Sequence, residues 1–417
     1  MISVNGTRLR AEIEANAEFG AIDAEDGRGR SVLVGTEADR AAREHLVDRL
    51  EDAGLTVRVD GVGNIAGRWT PESADPDAAP VAAGSHLDSV PEGGIFDGPL
   101  GVYAALEAVR AIQESDIEPD RPIEVVSFTE EEGTRFDPLV GSKVAAGELA
   151  VEAALESVDS DGVALESALE SIGYRGSDRL DAAEWDAWLE LHVEQHTVLE
   201  ERDVPVGVVT TITGIARCDV EITGEANHAG TTPMGDRHDS LAAAAEFVLD
   251  VERAAKEVVA TDSSAAVGTV GSATVRPNGI NVVPGRVDLG LDIRDVDPEP
   301  IDALVDRARK SLARIETDRE GISTDIDRSF DVRPVGMSER CRNALYAGSD
   351  RADIGTTELH SGAGHDTMAI GRATDVGLLF VRSRDGISHN PLEWTDWGDC
   401  AEATRVLAEA IAELALE

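Results

Sequence analysis

Apolar positions recur at helical spacing across residues 36–53, through Ala41, Leu46, Val47 and Leu50, and predict an amphipathic helix there. A short apolar run at 81–84 reads as a buried strand whose end delivers His86 and Asp88. Residues 98–113 are helical again, so Asp97 falls near a helix N-terminus. Residues 123–128 form a second buried strand with Glu130, Glu131 and Glu132 at its carboxyl end, and 189–193 a third that carries His192. The Ala-, Glu- and Leu-rich stretch 151–171 reads as one helix on the surface. Strands alternating with helices, with polar residues at the strand ends, predict an α/β domain: a mainly parallel sheet with helices on both faces. Sites in such sheets lie outside the carboxyl ends of the strands.

The middle of the chain changes character. Residues 215–224 are strand-like, 240–260 form a long Ala-rich helix, 267–276 and 285–294 follow as strands, 298–315 as a helix, and 321–328 as a last strand. That order, strand-helix-strand-strand-helix-strand, is the ferredoxin-like pattern. It predicts an α+β domain at 214–330, inserted into a first domain built from 1–213 and 331–417. The first domain resumes with a strand at 376–381 and a helix at 399–416. At 417 residues the chain is long enough for each domain to bury its own core.

Charge adds a second layer. The chain carries 82 Asp+Glu against 37 Lys+Arg, a formal net charge of −45, yet its 42% hydrophobic residues mark it as globular. Lys143, Lys256 and Lys310 are the only lysines. A basic partner or cation storage is one reading of this acidity. Acidic residues spread along the whole chain favour another, a solvated surface suited to very high salt, where screening removes most self-repulsion. No basic stripe exists to neutralise phosphates, which speaks against nucleic acid as a partner. Three scattered cysteines, Cys218, Cys341 and Cys400, suit a reducing compartment without a disulfide framework. The first ten residues lack a signal-peptide apolar core, and no apolar run approaches a membrane span. The expectation is a soluble cytoplasmic protein with no membrane partner.

Five short segments place His86, Asp97, Glu132, His192 and His389 where two metal ions could be held, and Glu131 directly precedes one of them as a spare carboxylate. Only borderline and hard divalent cations suit such a mix of imidazole and carboxylate. A carboxylate beside a metal-held water is the apparatus of hydrolysis. Singly, each segment has a plainer account: Asp97 opens an Asp-Gly-Pro turn, and a lone loop histidine is common. Three adjacent carboxylates after a hydrophobic strand, however, repel one another unless a cation or solvent takes up the charge. His86 and Asp88, two apart at a strand end, share one side of the strand, and the Asp88 carboxylate is expected to accept the second ring N–H of His86.

The joint pattern resembles the hydantoinase/carbamoylase family of amidases, which includes N-carbamoyl-L-amino-acid hydrolases, allantoate amidohydrolases and two-metal beta-ureidopropionases. These are relatives of the dinuclear zinc aminoacylases and carboxypeptidases. The matching strings are Gly84-Ser-His-Leu-Asp-Ser-Val-Pro-Glu-Gly-Gly-Ile-Phe-Asp-Gly-Pro-Leu-Gly, Glu131-Glu-Gly-Thr-Arg-Phe, Glu190-Leu-His-Val-Glu-Gln, His228-Ala-Gly-Thr-Thr-Pro-Met, Asn278-Gly-Ile-Asn-Val-Val-Pro-Gly, Ser361-Gly-Ala-Gly-His-Asp and Gly386-Ile-Ser-His-Asn-Pro-Leu-Glu-Trp-Thr. Two departures stand out: His196-Thr197 where the family usually has Gly-Pro, and Thr367 where Ala is frequent.

The resemblance implies a zinc-peptidase-like main domain and an insert that serves as lid and dimer contact, hence a homodimer. It implies two divalent ions (Zn, or Mn, Co or Ni) bridged by Asp97, one shared by His86 and His192, the other by Glu132 and His389. Glu131 is then the general base, with Asp88 beside His86 supporting catalysis and His228 stabilising the oxyanion. Gln195, Asn281 and Arg294 become substrate contacts, Gly362 and Ala363 let backbone approach the substrate, and His365 neighbours the ligands. The implied reaction is hydrolysis of a small anionic ureido substrate, an N-carbamoyl-L-amino acid first. Allantoate is the near alternative, a dipeptidase or aminoacylase a wider one, and a metal-binding module without catalysis a rival from another class.

Overall fold

Four strands, Val81–His86, Ile123–Phe128, Ala187–Val193 and Val376–Val381, are buried along their whole length. Burial on both faces is what near-continuous apolar runs of this kind require, and it calls for helical cover above and below. In the computed structural model these strands pair in parallel, and antiparallel strands flank them on both sides. The order is Val206–Ile212, Val376–Val381, Ala187–Val193, Val81–His86, Ile123–Phe128, Ile65–Trp69, Thr56–Val59. The structure describes residues 2–416. It divides them into two compact units, one comprising residues 2–210 and 336–416, the other Thr211–Val335.

In the first unit one sheet face packs on helices Glu37–Asp52, Pro99–Gln113 and Trp397–Leu414, with Leu46, Leu106, Val109, Val406 and Leu407 fully buried among Ala83, Val125 and Leu189. Alternate residues serve the other face. There Trp188 donates its indole N–H to Thr367 Oγ1, 2.8 Å away on the short helix Asp366–Ile370. Thr36 caps Glu37–Asp52 by accepting the Asp39 N–H. Pro99 opens its helix at a position where no N–H is needed, directly after the Asp97-Gly98 turn. Gly98 has φ +82°, and a Cβ there would lie 2.6 Å from the His86 ring, so the turn can only be glycine.

The stretch 151–171 departs from the expected single surface helix. It forms two short helices, Val151–Glu156 and Leu165–Ile172. Asp159 breaks the run: its carboxylate accepts the N–H groups of Asp161 and Val163, and Gly162 takes φ +78°. Ala154, Leu155, Leu165 and Leu169 then turn inward into a small apolar cluster with Val62 and Val140.

The second unit has the antiparallel sheet order Val267–Arg276, Arg286–Asp295, Gly214–Thr223, Ser323–Val332, with helices Ser240–Thr261 and Pro298–Asp318. This is ferredoxin-like topology. Period-two burial along Gly214–Thr223 and Arg286–Asp295 puts Ala216, Cys218, Val220, Ile222 and Leu289, Leu291, Ile293 under the helices. Asp219, Glu221 and Asp288 take the opposite face. Among the described residues, no helix is long and apolar enough to cross a membrane.

Candidate metal centre

The four parallel strands end on one side of the sheet, and the ligand candidates ride on or beyond those ends. His86 closes Val81–His86, His192 lies one residue before the end of Ala187–Val193, and the three glutamates follow Ile123–Phe128. Asp97 stands at the centre. Its Oδ1 lies 2.9 Å from His192 Nε2, and its Oδ2 lies 3.2 Å from His389 Nε2. His389 Nε2 is in turn 3.4 Å from Glu132 Oε2. The potential ligand atoms therefore fall into two groups, His86–Asp97–His192 and Asp97–Glu132–His389, each spanning less than 4.8 Å. Asp97 belongs to both.

Two of the imidazoles are already oriented. His192 Nδ1 pairs with the Val193 carbonyl at 3.0 Å, and His86 Nδ1 with the Asp88 carbonyl at 3.1 Å, so Nε2 of each ring is the nitrogen left to take a metal. The expected carboxylate contact of Asp88 to His86 does not form: Oδ1 is 3.6 Å from Nδ1, and the backbone carbonyl reaches the ring first. The Asp88 carboxylate instead accepts the N–H of Glu131 at 3.3 Å and of Glu132 at 3.1 Å, fixing the segment that carries them. Glu131 lies in neither ligand group. Its carboxylate accepts the Ser142 N–H at 2.9 Å and the Ser142 hydroxyl at 2.5 Å.

The electrostatics of this centre are lopsided. Burial first, then the charge of Asp97, pushes Glu132 well above the usual carboxylate range. Burial likewise pushes Glu131 up to about 8 and Glu393 to about 7, and lifts Asp366 strongly. Asp97 alone goes the other way: burial opposes its charge, but hydrogen bonds from His192 and His389 hold it well below the ordinary value. Burial also disfavours a charged His192, and Asp97 overrides this to lift it to about 9. So many buried carboxylates cannot ionise together without added positive charge. Two divalent cations on these mixed imidazole and carboxylate donors would supply it, so the residues present fit the metals the sequence implies.

A third group, Glu190–His192–His365, shares His192. Glu190 is already engaged there: Oε1 accepts from Ser85 Oγ at 3.0 Å, and Oε2 from the Thr367 N–H at 3.0 Å and its hydroxyl at 2.6 Å. The unusual Thr367 thus bridges a buried tryptophan and a buried glutamate. His365 is buried edge-on to His192, with Nε2 2.8 Å from Ser361 Oγ. Gln195, at φ +59°, donates its amide to Ser388 Oγ at 3.2 Å. Gly362 and Ala363 follow the strand Thr356–Ser361, and Ala363 N–H donates to Ser361 Oγ. His196 is exposed, and its backbone packs on Gly386, where a Cβ would come within 2.9 Å.

The remaining site candidates belong to the second unit. Asn227–His228 pairs with Val282–Val283, and Ala229 N–H donates to the Asn281 carbonyl at 2.9 Å, so His228 and Asn281 share one corner. His228 Nδ1 accepts the N–H groups of Gly230 and Thr231 at 3.0 and 3.1 Å, which makes Nε2 the protonated nitrogen, an exposed donor. Arg294 is half-buried and forks onto Asp292, with Nε to Oδ1 at 2.9 Å, while Asp292 also accepts from Arg217.

The profile of peptidase family M20/M25/M40 matches residues 82–413. The chain belongs to this family. Like other M20 members it is a hydrolase, and it stands among the hydantoinase/carbamoylase amidases. It is 40% identical over 421 residues to an N-carbamoyl-L-amino acid amidohydrolase of Geobacillus stearothermophilus, covering 99% of each chain. It is 35% identical to an allantoate amidohydrolase of Bacillus subtilis, across 97% of this chain and 96% of that one. The solved structure of a hydantoinase/carbamoylase family amidase from Burkholderia multivorans matches with a TM-score of 0.92 at 36% identity, over 100% of this chain and 99% of that one.

Sequence reasoning did not reach Asn64, Ser142, Asp366, Ser388 or Glu393. Ser388 and Glu393 flank His389 inside a matching string, which was their one signal. Ser142 had none, since it meets Glu131 only because the short helix Val140–Ala145 folds back under the glutamates.

Proposed function

We propose that this M20-family hydrolase cleaves a C–N bond of a linear ureido substrate, most simply converting an N-carbamoyl-L-amino acid and water to the L-amino acid, ammonia and carbon dioxide. One observation carries the reading: the two oxygens of Asp97 face two separate sets of ligand atoms. His86, Asp97 and His192 would hold one divalent ion, and Asp97, Glu132 and His389 the other, with Zn, Mn, Co or Ni all compatible with these donors. Ions bound there supply Lewis acidity and bring the pKa of a water toward neutrality. Glu131, fixed by Ser142, takes a proton from the attacking water and returns it to the leaving nitrogen. Asp88 holds the backbone of Glu131 and Glu132 in register for this. His228 enters as the donor to the developing oxyanion through Nε2–H. Asn281 and Gln195 enter as hydrogen-bond partners of the substrate, Arg294 as the planar fork for its carboxylate, and Gly362 and Ala363 as backbone neighbours.

Allantoate is the second reading, favoured by the Bacillus relative's name and by the same chemistry on another anionic ureide. Ammonia release from N-carbamoyl-L-amino acids, allantoate and ureidoglycolate, assayed in high salt, separates the two. A chain that cleaves only dipeptides or N-acyl amino acids removes both.

The same reading includes a homodimer. Val267–Arg276 is a ten-residue edge strand, largely exposed, and Leu241, Val248 and Leu249 are exposed apolar residues on the neighbouring helix; long exposed edges of this kind are rarely left open. It places the enzyme in the cytoplasm, in line with three buried free cysteines, at high salt, in line with its net charge of −45. Nucleic acid is not among its partners in this view.

A further inference from the structure

The turn 94–97, which presents the shared carboxylate, is wrapped around a side chain from the far end of the chain. Glu393 Oε1 accepts the N–H of Phe96 at 3.1 Å and of Asp97 at 3.0 Å. A Cβ on Gly94 would lie 2.3 Å from that same oxygen and 2.5 Å from Glu393 Cδ, so the turn closes on the carboxylate with no room for a larger residue. Ser388 completes the arrangement. Its Oγ lies 2.9 Å from Glu393 Oε2 and 3.3 Å from Asp97 Oδ2, and it accepts the Gln195 amide at 3.2 Å. Having one proton, the hydroxyl serves the nearer carboxylate first. Phe96 is held from the same side, edge-on to Trp394 at 5.5 Å and against Trp397 at 5.0 Å.

Glu393 is buried, 1% exposed, and stands in neither group of candidate ligands. A second carboxylate buried close to Asp97 is unfavourable in itself, and charge-assisted bonds to three donors are what offset it. Those donors are the backbone on which Asp97 is mounted and the hydroxyl that touches its Oδ2. We propose that Glu393 is a positioning residue. It sets the rotation of Asp97 so that each oxygen faces one of two metal ions, and Ser388 extends that control to Gln195, just beyond the strand bearing His192, and to the loop bearing His389. This rests on the two-ion reading given above.

The test uses the full chain, with zinc as the probe and ions counted per chain by mass spectrometry after dialysis. The wild type is expected to hold two zinc ions. Glu393→Ala is expected to lose one, its affinity falling by about 10–100-fold, with kcat falling and KM little changed. Glu393→Gln keeps an oxygen for the two N–H groups, so it is expected to restore most of that affinity. Two ions at wild-type affinity in Glu393→Ala overturns the proposal. So does a Glu393→Gln protein as defective as the alanine variant, because charge and not positioning would then be the cause. Should Glu393→Ala fail to fold, Ser388→Ala is the substitute: weaker binding of one ion, by about tenfold, supports the proposal, and unaltered binding overturns it. A wild type that holds fewer than two ions defeats the two-ion reading itself, and this is visible before any variant is made.

Discussion

Replacing Asn64 by alanine tests how the glutamate segment is supported from below. Asn64 Nδ2 donates to Asp60 Oδ2 at 2.9 Å and to the Gly141 carbonyl at 3.1 Å, and its Oδ1 accepts the Thr129 N–H at 3.0 Å. All of these groups are buried. The substitution leaves the Thr129 N–H and the Gly141 carbonyl without those partners, at about 1–3 kcal/mol each, and a water entering the vacated space would recover part of this. The expected net loss is about 3 kcal/mol, a large share of a total stability of about 5–15 kcal/mol. The loss should also depend on pH. Burial raises Asp60 to about 6, and the hydrogen bonds from Asn64 oppose that rise. A carboxyl whose folded pKa is raised binds its proton more tightly in the folded state. Its contribution is therefore most favourable below the unfolded value of 3.8 and declines as pH climbs toward about 6. Without Asn64 the folded value rises further, so the penalty should be larger at pH 7.5 than at pH 5. Asn64→Asp keeps the acceptor for Thr129 but sets a second carboxyl against Asp60, so it should be worse than alanine above pH 6 and milder below pH 5. Urea unfolding followed by circular dichroism reads all three proteins. A loss under about 1 kcal/mol at pH 7.5, the net value of a single ordinary hydrogen bond, or a penalty that does not change with pH, refutes the reasoning.

Three further outcomes are expected. Glu131→Gln should keep both ions while kcat falls by about 10²–10⁴-fold; metal retained with unchanged turnover would remove Glu131 as the base. Arg294→Ala should raise KM for an anionic ureide by about 10–100-fold with kcat less affected, the loss of a charge-assisted bond; an unaltered KM removes Arg294 as the partner of the substrate carboxylate. The melting temperature should climb steeply as sodium chloride is raised from near zero, because the net charge of −45 repels itself when unscreened; a flat salt response would contradict adaptation to brine.

The strands that build the site were the most legible part of the chain. Residues 123–128 and 376–381 were bounded to the residue, because continuous apolar runs leave little choice of element. Thr56–Val59 and Ile65–Trp69 escaped notice, since Arg58, Gly67 and Arg68 interrupt them. The break at Asp159 was hidden by composition, which reads helix on both sides of it. The ligands were legible through their spacing at strand ends, and their orientation was not. Whether Asp88 reaches the His86 ring or the backbone of Glu131 depends on a loop conformation that no periodicity encodes. Ser142 and Glu393 meet their partners across 11 and 296 residues of chain, separations that a strand or helix period does not encode.

The strand carrying His192 lies between Val81–His86 and Val376–Val381. His86, Asp97 and His192 are all present once 192 of the 417 residues exist, whereas the second group waits for His389. On the ribosome, where a chain emerges from its N-terminus, the donors for the first ion are therefore available long before those for the second. The order of the strands along the chain thus sets the order in which the two groups of donors come to exist during synthesis.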